Sequence, residues 1–450
     1  MTLNITRLRA DTPTCETVLH FNNAGAGLMP KPVQDALIGH LELEARIGGY
    51  EAHDAAKEAC AAFYAQMAGL LNAKPGEIAF IENATRAWDM AFFSLPLEPG
   101  DRILTHASEY VSNYLGLMLQ AKRRGLEIDL IPSDASGQVD VDAIAGLIGP
   151  KTRLIALTHV PTQGGLVNPA AEVGKVAKEH GLFYLLDACQ SAGQIDLDVD
   201  KLGCDMLSGT GRKYLRGPRG TGFLYVRQGL IAELEPPFID LFSATWTSAD
   251  TYELAPDALR FENWERFVAG QIGLGAAVGY ARAVGLPAIE ARVEELGATL
   301  RAALGDVSGV TVQDLGTRKC GIVTFTKEGV TPQEITAQLH AQGMNISVSN
   351  RTSAQLDLGP RGIDYLARAS VHYYNTEDEI ARFVEAVAGV ESVAKCAQER
   401  ARPDCGVASH RWFKALYASP VCTLFDCFAY VNQSPARCGG LAIALRAFGP

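Results

Sequence analysis

Two segments of this 450-residue chain carry side chains that could do chemistry together. Lys213 lies in a turn rich in glycine, hydroxyl and arginine side chains, SGTGRKYLRGPRGTG at 208–222. Taken alone, such a lysine could bind a phosphate group or simply be solvated. Asp187 ends an apolar run, and Gln190 follows three residues later. Burying a carboxylate costs free energy unless it is paired with an opposite charge. We therefore expect a positively charged group beside Asp187.

Two further segments indicate anion binding. Arg368, in the segment LARASVHYYNT at 366–376, has a planar guanidinium group that suits a carboxylate. The alternative to anion binding is that Arg368 is an ordinary surface arginine on an edge strand. Asn83 precedes a helical pattern and is a good N-cap, and the free N–H groups of a first helical turn favour an anion.

Alternating strands and helices place these residues. Short apolar runs separated by helical periodicity predict a mostly parallel sheet with helices on both faces, between residues 75 and 265. The carboxyl ends of such strands are the expected place for a site. The predicted strands are 77–81, 102–105, 127–131, 152–158 and 182–187; the predicted helices include 32–47, 55–71, 83–92, 113–123, 141–148 and 170–180.

The rest of the chain predicts a smaller α+β domain. Helices at 272–284 and 289–304 lead into strands at 310–312, 320–325 and 345–348 and into helices at 332–342 and 376–387. The predicted division is therefore an N-terminal segment 1–50, a large domain 51–270 and a small C-terminal domain 271–390. A cysteine-rich tail of unassigned role, 391–450, completes it.

Composition excludes several classes of function. The net charge of -11 and the lack of a basic stripe argue against a nucleic-acid partner. No apolar run approaches the ~20 residues that cross a bilayer, and residues 1–11 lack a long apolar core. We therefore expect no membrane partner, no signal peptide and a cytoplasmic location. The 10 cysteines include no Cys-x-x-Cys pair, so we predict no metal site and free thiols.

Together, the segments around Asp187, Lys213 and Arg368 resemble the class V aminotransferase family. That family contains fold-type I enzymes that bind pyridoxal phosphate (PLP), among them cysteine desulfurases, isopenicillin N epimerase and hercynylcysteine sulfoxide lyases. The resemblance covers roughly residues 18–390. It implies an α/β fold, in which Lys213 forms a Schiff base with the cofactor aldehyde. Burial beside cations, for which Arg212 and Arg219 are candidates, would help that lysine lose its proton.

The resemblance also assigns roles to other residues. It implies that Asp187 contacts the ring nitrogen of the cofactor and that Gln190 contacts the ring hydroxyl oxygen. It also implies that Arg368, together with Asn23 of the N-terminal segment, binds the substrate amino acid. The remaining cofactor contacts that it implies are Ala84, Thr85, Tyr110, Thr162, Thr210 and Arg212. Because the family completes its phosphate site with the partner subunit, the resemblance further implies a homodimer with active sites at the subunit interface.

The chain departs from the desulfurase pattern at several positions, among them Thr162, where desulfurases commonly have Asn. Val111 stands where desulfurases place a histidine that stacks on the ring, with Tyr110 just before it. The Gly-Thr signature of the partner's phosphate contact is replaced by the segment RFENWER at 260–266. The loop SVSNRTSAQLD at 347–357 has no cysteine where desulfurases carry their nucleophile, so persulfide chemistry of that kind is not expected.

The resemblance leaves the reaction open, because PLP stabilises any carbanion formed next to its imine. The Lys213 loop and the segment around Gly48–Tyr50 are most similar to hercynylcysteine sulfoxide lyases. The first expectation is therefore Cα deprotonation of an L-amino acid followed by β-elimination, as in a C–S lyase that acts on a cysteine conjugate or sulfoxide. The alternatives are an aminotransferase and an epimerase. A non-catalytic PLP-binding protein is disfavoured by the three intact segments.

Overall fold

A computed structural model describes residues 3–392. Its strands are β1 Leu19–His20, β2 Ile78–Ile81, β3 Arg102–His106, β4 Glu127–Ile131, β5 Thr152–Thr158, β6 Phe183–Asp187, β7 Met206–Thr210, β8 Gly222–Val226, β9 Ala244–Ser248, β10 Thr251–Leu254, β11 Val310–Val312, β12 Ile322–Lys327, β13 Met344–Asn345, β14 Ser347–Asn350 and β15 Tyr365–Ser370.

The helices connect and cover these strands. They are α1 Ile5–Ala10, α2 Lys31–Ile47, α3 Gly49–Ala55, α4 Lys57–Leu71, α5 Ala84–Phe93, α6 Val111–Arg124, α7 Val141–Leu147, α8 Ala170–Glu179, α9 Val199–Leu202, α10 Gln228–Ile231, α11 Val268–Val284, α12 Leu286–Gly305, α13 Pro332–His340, α14 Gln355–Leu358 and α15 Glu377–Ala388.

The large sheet has seven strands in the order β2-β8-β7-β6-β5-β3-β4. Every neighbouring pair is parallel except the two pairs formed by β8, which runs antiparallel to β2 and β7. The prediction of a mostly parallel α/β sheet is confirmed.

Both faces of this sheet are covered. Along β5, Ile155 and Leu157 pack in the cluster that holds α8 and α11 side chains, whereas Leu154 and Ala156 pack with α5 and α6. Burial on both faces explains why the strands read as continuous apolar runs without alternation. The same burial holds the strand ends, and therefore the loops that follow them, in fixed positions.

The small sheet lies between residues 310 and 370 and is antiparallel, in the order β11-β12-β15-β14. Together with α12, α13 and α15 it forms the predicted smaller α+β part. Its core is apolar and includes Leu300, Phe325, Ile335 and Phe383. The N-terminal segment joins this part, because β1 pairs in parallel with β13.

Three local predictions differ from the structure. The predicted strand 345–348 is divided between β13 and β14, with a break at Ile346. The predicted helix 55–71 is divided between α3 and α4, with a break at Ala56. The antiparallel hairpin of β9 and β10 was not predicted. Four of the five residues of β9 are exposed, so the hairpin lacks the alternation of burial by which a half-buried strand is recognised in sequence.

The division into segments at 1–50, 51–270 and 271–390 stays a prediction, although the two main sheets fall on either side of residue 270. The predicted tail 391–450 lies, apart from its first two residues, outside the described residues.

Within residues 3–392, no single helix combines the length and hydropathy needed to cross a membrane. Only α11 and α12 taken together meet that criterion, and they are bent by 81° relative to each other.

Candidate active site

The predicted site residues gather at one edge of the large sheet, where its parallel strands end. Asp187 is the last residue of β6 and is paired in register with Thr158 of β5 and Ser208 of β7. Thr210 is the last residue of β7, and its hydroxyl group donates to the carbonyl of Thr221 at 3.3 Å. The loops after β5, β6 and β7 therefore meet at the edge where the sequence predicted a site.

A close backbone approach brings the start of α5 to the same edge. Gly222 pairs with Ile81 of β2 and with Thr210 of β7. A Cβ at Gly222 would lie 2.8 Å from the carbonyl carbon of Asn83 and 3.0 Å from the amide nitrogen of Ala84. Glycine is needed at this position because any side chain would push α5 away from β7.

The first turn of α5 offers backbone donors. The Asn83 side chain accepts from the Arg86 N–H at 3.0 Å, which confirms the predicted N-cap. The N–H groups of Ala84 and Thr85 lie at the first positions of the helix, where the helix itself supplies no acceptor. Such a helix start suits a phosphate group.

Lys213 is buried, with 6% of its surface exposed. Burial is the main cause that lowers the pKa of its amine; Arg212 and Arg368 lower it further, against Cys189 and Asp187. A depressed pKa favours the neutral amine that a nucleophile or base requires. Arg219, which the sequence suggested as a nearby cation, is exposed to solvent, and Arg368 acts on the amine in its place.

Asp187 is held by neutral donors. Its Oδ1 accepts from the Cys189 N–H at 2.8 Å, and its Oδ2 accepts from Asn113 Nδ2 at 2.8 Å. Asn113 in turn donates to Glu109, a second buried acid, at 2.9 Å. Neither Asn113 nor Glu109 was predicted from the sequence as a site residue. Their spacing of four residues, with a polar pair at the start of a helix, is the signal that could have indicated them.

A hydrogen-bonded group links Gln190, Thr162 and Arg368. Gln190 Nε2 donates to Thr162 Oγ1 at 3.0 Å, and Arg368 Nη1 donates to the same hydroxyl oxygen at 2.7 Å and to the Thr162 carbonyl at 2.8 Å. Arg368 Nε donates to Ser347 Oγ at 3.0 Å. Burial lowers the pKa of Arg368 to about 10. These contacts bring three of the predicted residues together around a buried guanidinium.

The N-terminal segment closes one side of the site. Arg212 Nη1 donates to the carbonyl of Gly25, and the Gly27 N–H donates to the Arg212 carbonyl at 2.8 Å. Arg212 is therefore attached to this segment as well as to the Lys213 loop.

Asn23 lies on the same segment but is fully buried, and its amide is used within the protein. It donates to the Ser370 carbonyl at 2.8 Å and accepts from the Tyr374 hydroxyl. Because both ends of its amide are occupied by the protein, the structure gives no support to the predicted substrate contact of Asn23. Its contacts instead fix the N-terminal segment against β15.

Tyr110 is the residue before α6 and is half-buried. Its ring lies 5.9 Å from the Lys213 Nζ. Val111, the position at which desulfurases carry their histidine, is the first residue of the helix. The tyrosine ring is therefore the aromatic group at this position, although its stacking on a cofactor stays a prediction.

The structure places one cysteine near these residues. Of the cysteines in residues 3–392, Cys189 is the one whose thiol interacts electrostatically with both Asp187 and Lys213. Burial raises the pKa of this thiol, so it is not poised as a thiolate. Neither β14, whose residue Ser347 pairs with Arg368, nor the loop that follows it up to residue 357 carries a cysteine.

Unpaired polar groups in this region fit PLP. Gln190 Oε1 is buried and has no hydrogen-bond partner among the described residues. In that same range the Lys213 amine has no ion-pair partner, and the α5 first turn has donors to spare. A phosphorylated aromatic aldehyde would use all three, with its phosphate at α5, its ring oxygen near Gln190 and its aldehyde at Lys213. The assignment of each residue to the cofactor stays a prediction.

Comparison with known proteins agrees with this fit. The family model described as aminotransferase class-V matches residues 19–383. A protein of Xylella fastidiosa (strain 9a5c) described as a probable cysteine desulfurase is 31% identical over 402 residues, which is 86% of this chain and 95% of that protein.

Solved structures share the fold. The apo structure of a cysteine desulfurase from Thermococcus onnurineus NA1 has a TM-score of 0.80 and 29% identity, covering 86% of this chain and 98% of that chain. The complex of a cystine C–S lyase with cysteine persulfide has a TM-score of 0.76 and 24% identity, covering 84% and 99%. At that identity the second likeness shows the fold alone.

The match over residues 19–383 includes both sheets and every predicted cofactor contact. It therefore includes the lysine, the carboxylate and the helix terminus that the structure brings together. The chain therefore belongs to the class V aminotransferase family and is a PLP-dependent enzyme of fold type I.

Proposed function

We propose that this enzyme removes a sulfur substituent from Cβ of an L-cysteine conjugate or sulfoxide by β-elimination. The observation that carries the proposal is the buried Lys213 amine, which interacts electrostatically with Arg368, together with a segment 347–357 that contains no thiol and whose first residue, Ser347, pairs in register with Arg368. When bound, PLP supplies an electron sink for negative charge at Cα. The chain's own residues supply the grip on the substrate and the proton transfers.

Lys213 is proposed as the general base. Burial lowers the pKa of its amine, so the neutral form that can take a proton from Cα is accessible nearer neutral pH. The Cα–H bond breaks and its proton goes to Nζ. The electron pair left at Cα then forms a Cα=Cβ double bond as the Cβ–S bond breaks with its electron pair on sulfur, and Nζ returns the proton to the departing thiolate or sulfenate. The remaining 2-aminoacrylate is hydrolysed to pyruvate and ammonia.

Arg368 is proposed to bind the substrate α-carboxylate. Its guanidinium is buried, and every acceptor that it contacts in the described residues is a neutral hydroxyl or carbonyl of Thr162 or Ser347. Burial lowers its pKa to about 10, which means that the charge is poorly compensated. An incoming carboxylate would supply the missing counter-charge.

The missing loop cysteine separates this proposal from the desulfurase chemistry named in its relatives. A desulfurase reaction requires a protein thiolate that receives sulfur from the substrate. Cys189 does not offer one, since burial raises its thiol pKa and Asp187 raises it further. We therefore propose that sulfur leaves on its own substituent and is not transferred to the protein.

Replacing Arg368 by lysine is expected to raise KM for the amino acid about tenfold to a hundredfold, with a smaller change in kcat. One ammonium group keeps the charge but loses a charge-assisted hydrogen bond, which is worth about 1.5–3 kcal/mol. The measurement is steady-state kinetics of pyruvate release.

Arg361→Lys is the matched control, because Arg361 already has an acidic partner, Asp357, at 3.1 Å. An unchanged KM in Arg368→Lys would show that Arg368 does not bind the substrate carboxylate.

The reaction class is tested by omitting any keto acid. The enzyme is incubated with cysteine S-conjugates and sulfoxides, and pyruvate and ammonia are assayed over many turnovers. Elimination needs no amino acceptor, so steady formation of both products is expected. Turnover that strictly requires a keto acid would identify an aminotransferase. Deuterium exchange at Cα with inversion and without pyruvate would identify an epimerase.

We also propose that the enzyme is a homodimer whose partner subunit completes the cofactor phosphate site. A cavity of about 710 Å³ borders the first turn of α5 and is lined by Arg86, Tyr50, Trp264 and Phe267. Tyr50, Trp264 and Phe267 are 70%, 39% and 40% exposed, which supports a surface that a second copy covers.

Sedimentation should therefore give a dimer of the 48.2 kDa chain, and Trp264→Glu should weaken the dimer and PLP binding together. A charge at this position would have to be taken out of water in the dimer, at a cost of several kcal/mol. Tyr365→Glu, at an exposed residue of the small sheet, serves as the control. A wild-type monomer that binds PLP at micromolar protein concentration would contradict the proposal.

A further inference from the structure

A second buried carboxyl group lies beside Asp187, and one amide contacts both. Glu109 follows β3 and is 5% exposed, and Asn113 in the first turn of α6 is 2% exposed. Asn113 Nδ2 donates to Glu109 Oε1 at 2.9 Å and to Asp187 Oδ2 at 2.8 Å. Both hydrogens of this nitrogen are used, one on each carboxyl group.

The two oxygens of Glu109 differ in their surroundings. Oε1 also accepts from the Tyr110 N–H at 2.8 Å and from the Thr158 hydroxyl. Among the described residues, Oε2 makes a single hydrogen bond, which it accepts from the Thr105 hydroxyl at 3.3 Å. Oε1 is therefore committed as an acceptor, whereas a proton on Oε2 would find an acceptor in the Thr105 oxygen.

The donors to both carboxyl groups are all neutral in the described part of the chain. They are amide, hydroxyl, thiol and backbone N–H groups. Two buried carboxylates that share only neutral donors cannot both be charged without a large cost. Burial is the main cause that raises the pKa of Glu109; the Thr158 hydrogen bond opposes it, and the Asp187 charge adds to it.

Four other titratable groups lie close to Glu109 and Asp187. They come from β6 and from the loops after β6 and β7: Tyr184, Cys189, Arg212 and Lys213. Burial raises the pKa of Tyr184 and Cys189, which keeps both neutral. The Lys213 amine interacts electrostatically with Asp187 and so favours charge there over charge on Glu109.

We propose that Glu109 is a positioning residue of the cofactor site, held as the neutral acid with its proton on Oε2. Through Asn113 it keeps the single negative charge of the pair on Asp187. The inference rests on the proposed role of Asp187 at the ring nitrogen. Without Glu109 the Asn113 amide is free to rotate. Asp187 then loses a hydrogen-bond donor, and its negative charge is less well stabilised.

The test compares Glu109→Gln with Glu109→Ala. A glutamine reproduces the neutral acid, since its oxygen can replace Oε1 and its NH₂ can donate to Thr105. Its PLP affinity and the pH midpoint of the bound cofactor's absorption should therefore stay within about twofold of wild type. Glu109→Ala should weaken PLP binding roughly tenfold and move that midpoint in the same direction as Asp187→Asn is expected to move it.

Glu77→Ala is the matched control, because Glu77 is equally buried and accepts two backbone hydrogen bonds at the opposite end of β2. It should lower the Tm without moving the midpoint. If Glu109→Ala does not fold, Asn113→Ser removes the same bridge, and its midpoint should move as predicted for Glu109→Ala.

Three outcomes would overturn the inference. A Glu109→Gln enzyme that behaves like Glu109→Ala would mean that Glu109 is charged in the native protein. A lower Tm in Glu109→Ala with unchanged PLP affinity and midpoint would make the residue merely structural. An unmoved midpoint in Asp187→Asn would remove the role of Asp187 and the inference with it, whereas β-elimination would still be judged by its own product assay.

Discussion

Replacing Lys213 by alanine is expected to abolish the visible absorption of the purified enzyme and to lower kcat by at least about 10³-fold. Lys213 is the lysine at the edge where Asp187, Thr210 and the α5 terminus meet, and burial lowers the pKa of its amine. The variant loses both the amine that binds the cofactor aldehyde and the general base, whose contribution alone is typically 10²–10⁴-fold.

Lys201→Ala is the control for this prediction, since the Lys201 side chain is 82% exposed. It should keep both colour and turnover. A Lys213→Ala enzyme that retains the cofactor absorption band would place the covalent link at another residue.

Replacing Asp187 by asparagine is expected to leave the fold intact and to lower kcat about tenfold to a thousandfold. A nearby carboxylate raises the pKa of a cationic group by 1–3 units, and one unit corresponds to about 1.4 kcal/mol. The neutral amide no longer holds a proton at the ring nitrogen, so that proton is lost at lower pH. The measurement is the pH profile of turnover together with the cofactor absorption spectrum.

Asp205→Asn provides the matched control for Asp187. Asp205 precedes β7 at the opposite edge of the sheet, where it accepts from the Tyr184 N–H at 3.0 Å and pairs with Arg227 at 2.8 Å. It should change stability and leave the spectrum as in wild type. Near-normal turnover in Asp187→Asn would make Asp187 structural.

The sequence predicted the main groups of the site because each stands where a simple local pattern ends. Asp187 closes an apolar strand, Asn83 caps a helix, and Lys213 lies in a turn between two buried strands. Parallel strands end at one edge, so these positions converge without knowledge of the detailed packing.

The contacts around Asp187 were not predictable in the same way. Asn113 was read as the start of a helix, but α6 begins at Val111, and Asn113 is buried in its first turn. Its contact with Asp187 depends on the order β6-β5-β3 in the sheet, which brings together residues 74 positions apart. Sequence spacing alone carries no information about such a contact.

Two other differences have similar causes. Arg219 looked like a cation near Lys213 because it is close in sequence, whereas Arg368 takes that role from the small sheet. Asn23 looked like a substrate contact, but its amide is satisfied by Ser370 and Tyr374. In each case a residue distant in sequence supplies the deciding interaction.

The most direct test of the account is the carbon product formed from a cysteine S-conjugate and, in parallel, from free L-cysteine. The chain has no cysteine on the loop at 347–357, and burial raises the thiol pKa of Cys189. We therefore expect pyruvate and ammonia in equal amounts, with no alanine and no sulfur bound to the protein by mass spectrometry. Alanine as the main product, with a persulfide on a protein cysteine, would contradict elimination and assign the enzyme to desulfurase chemistry.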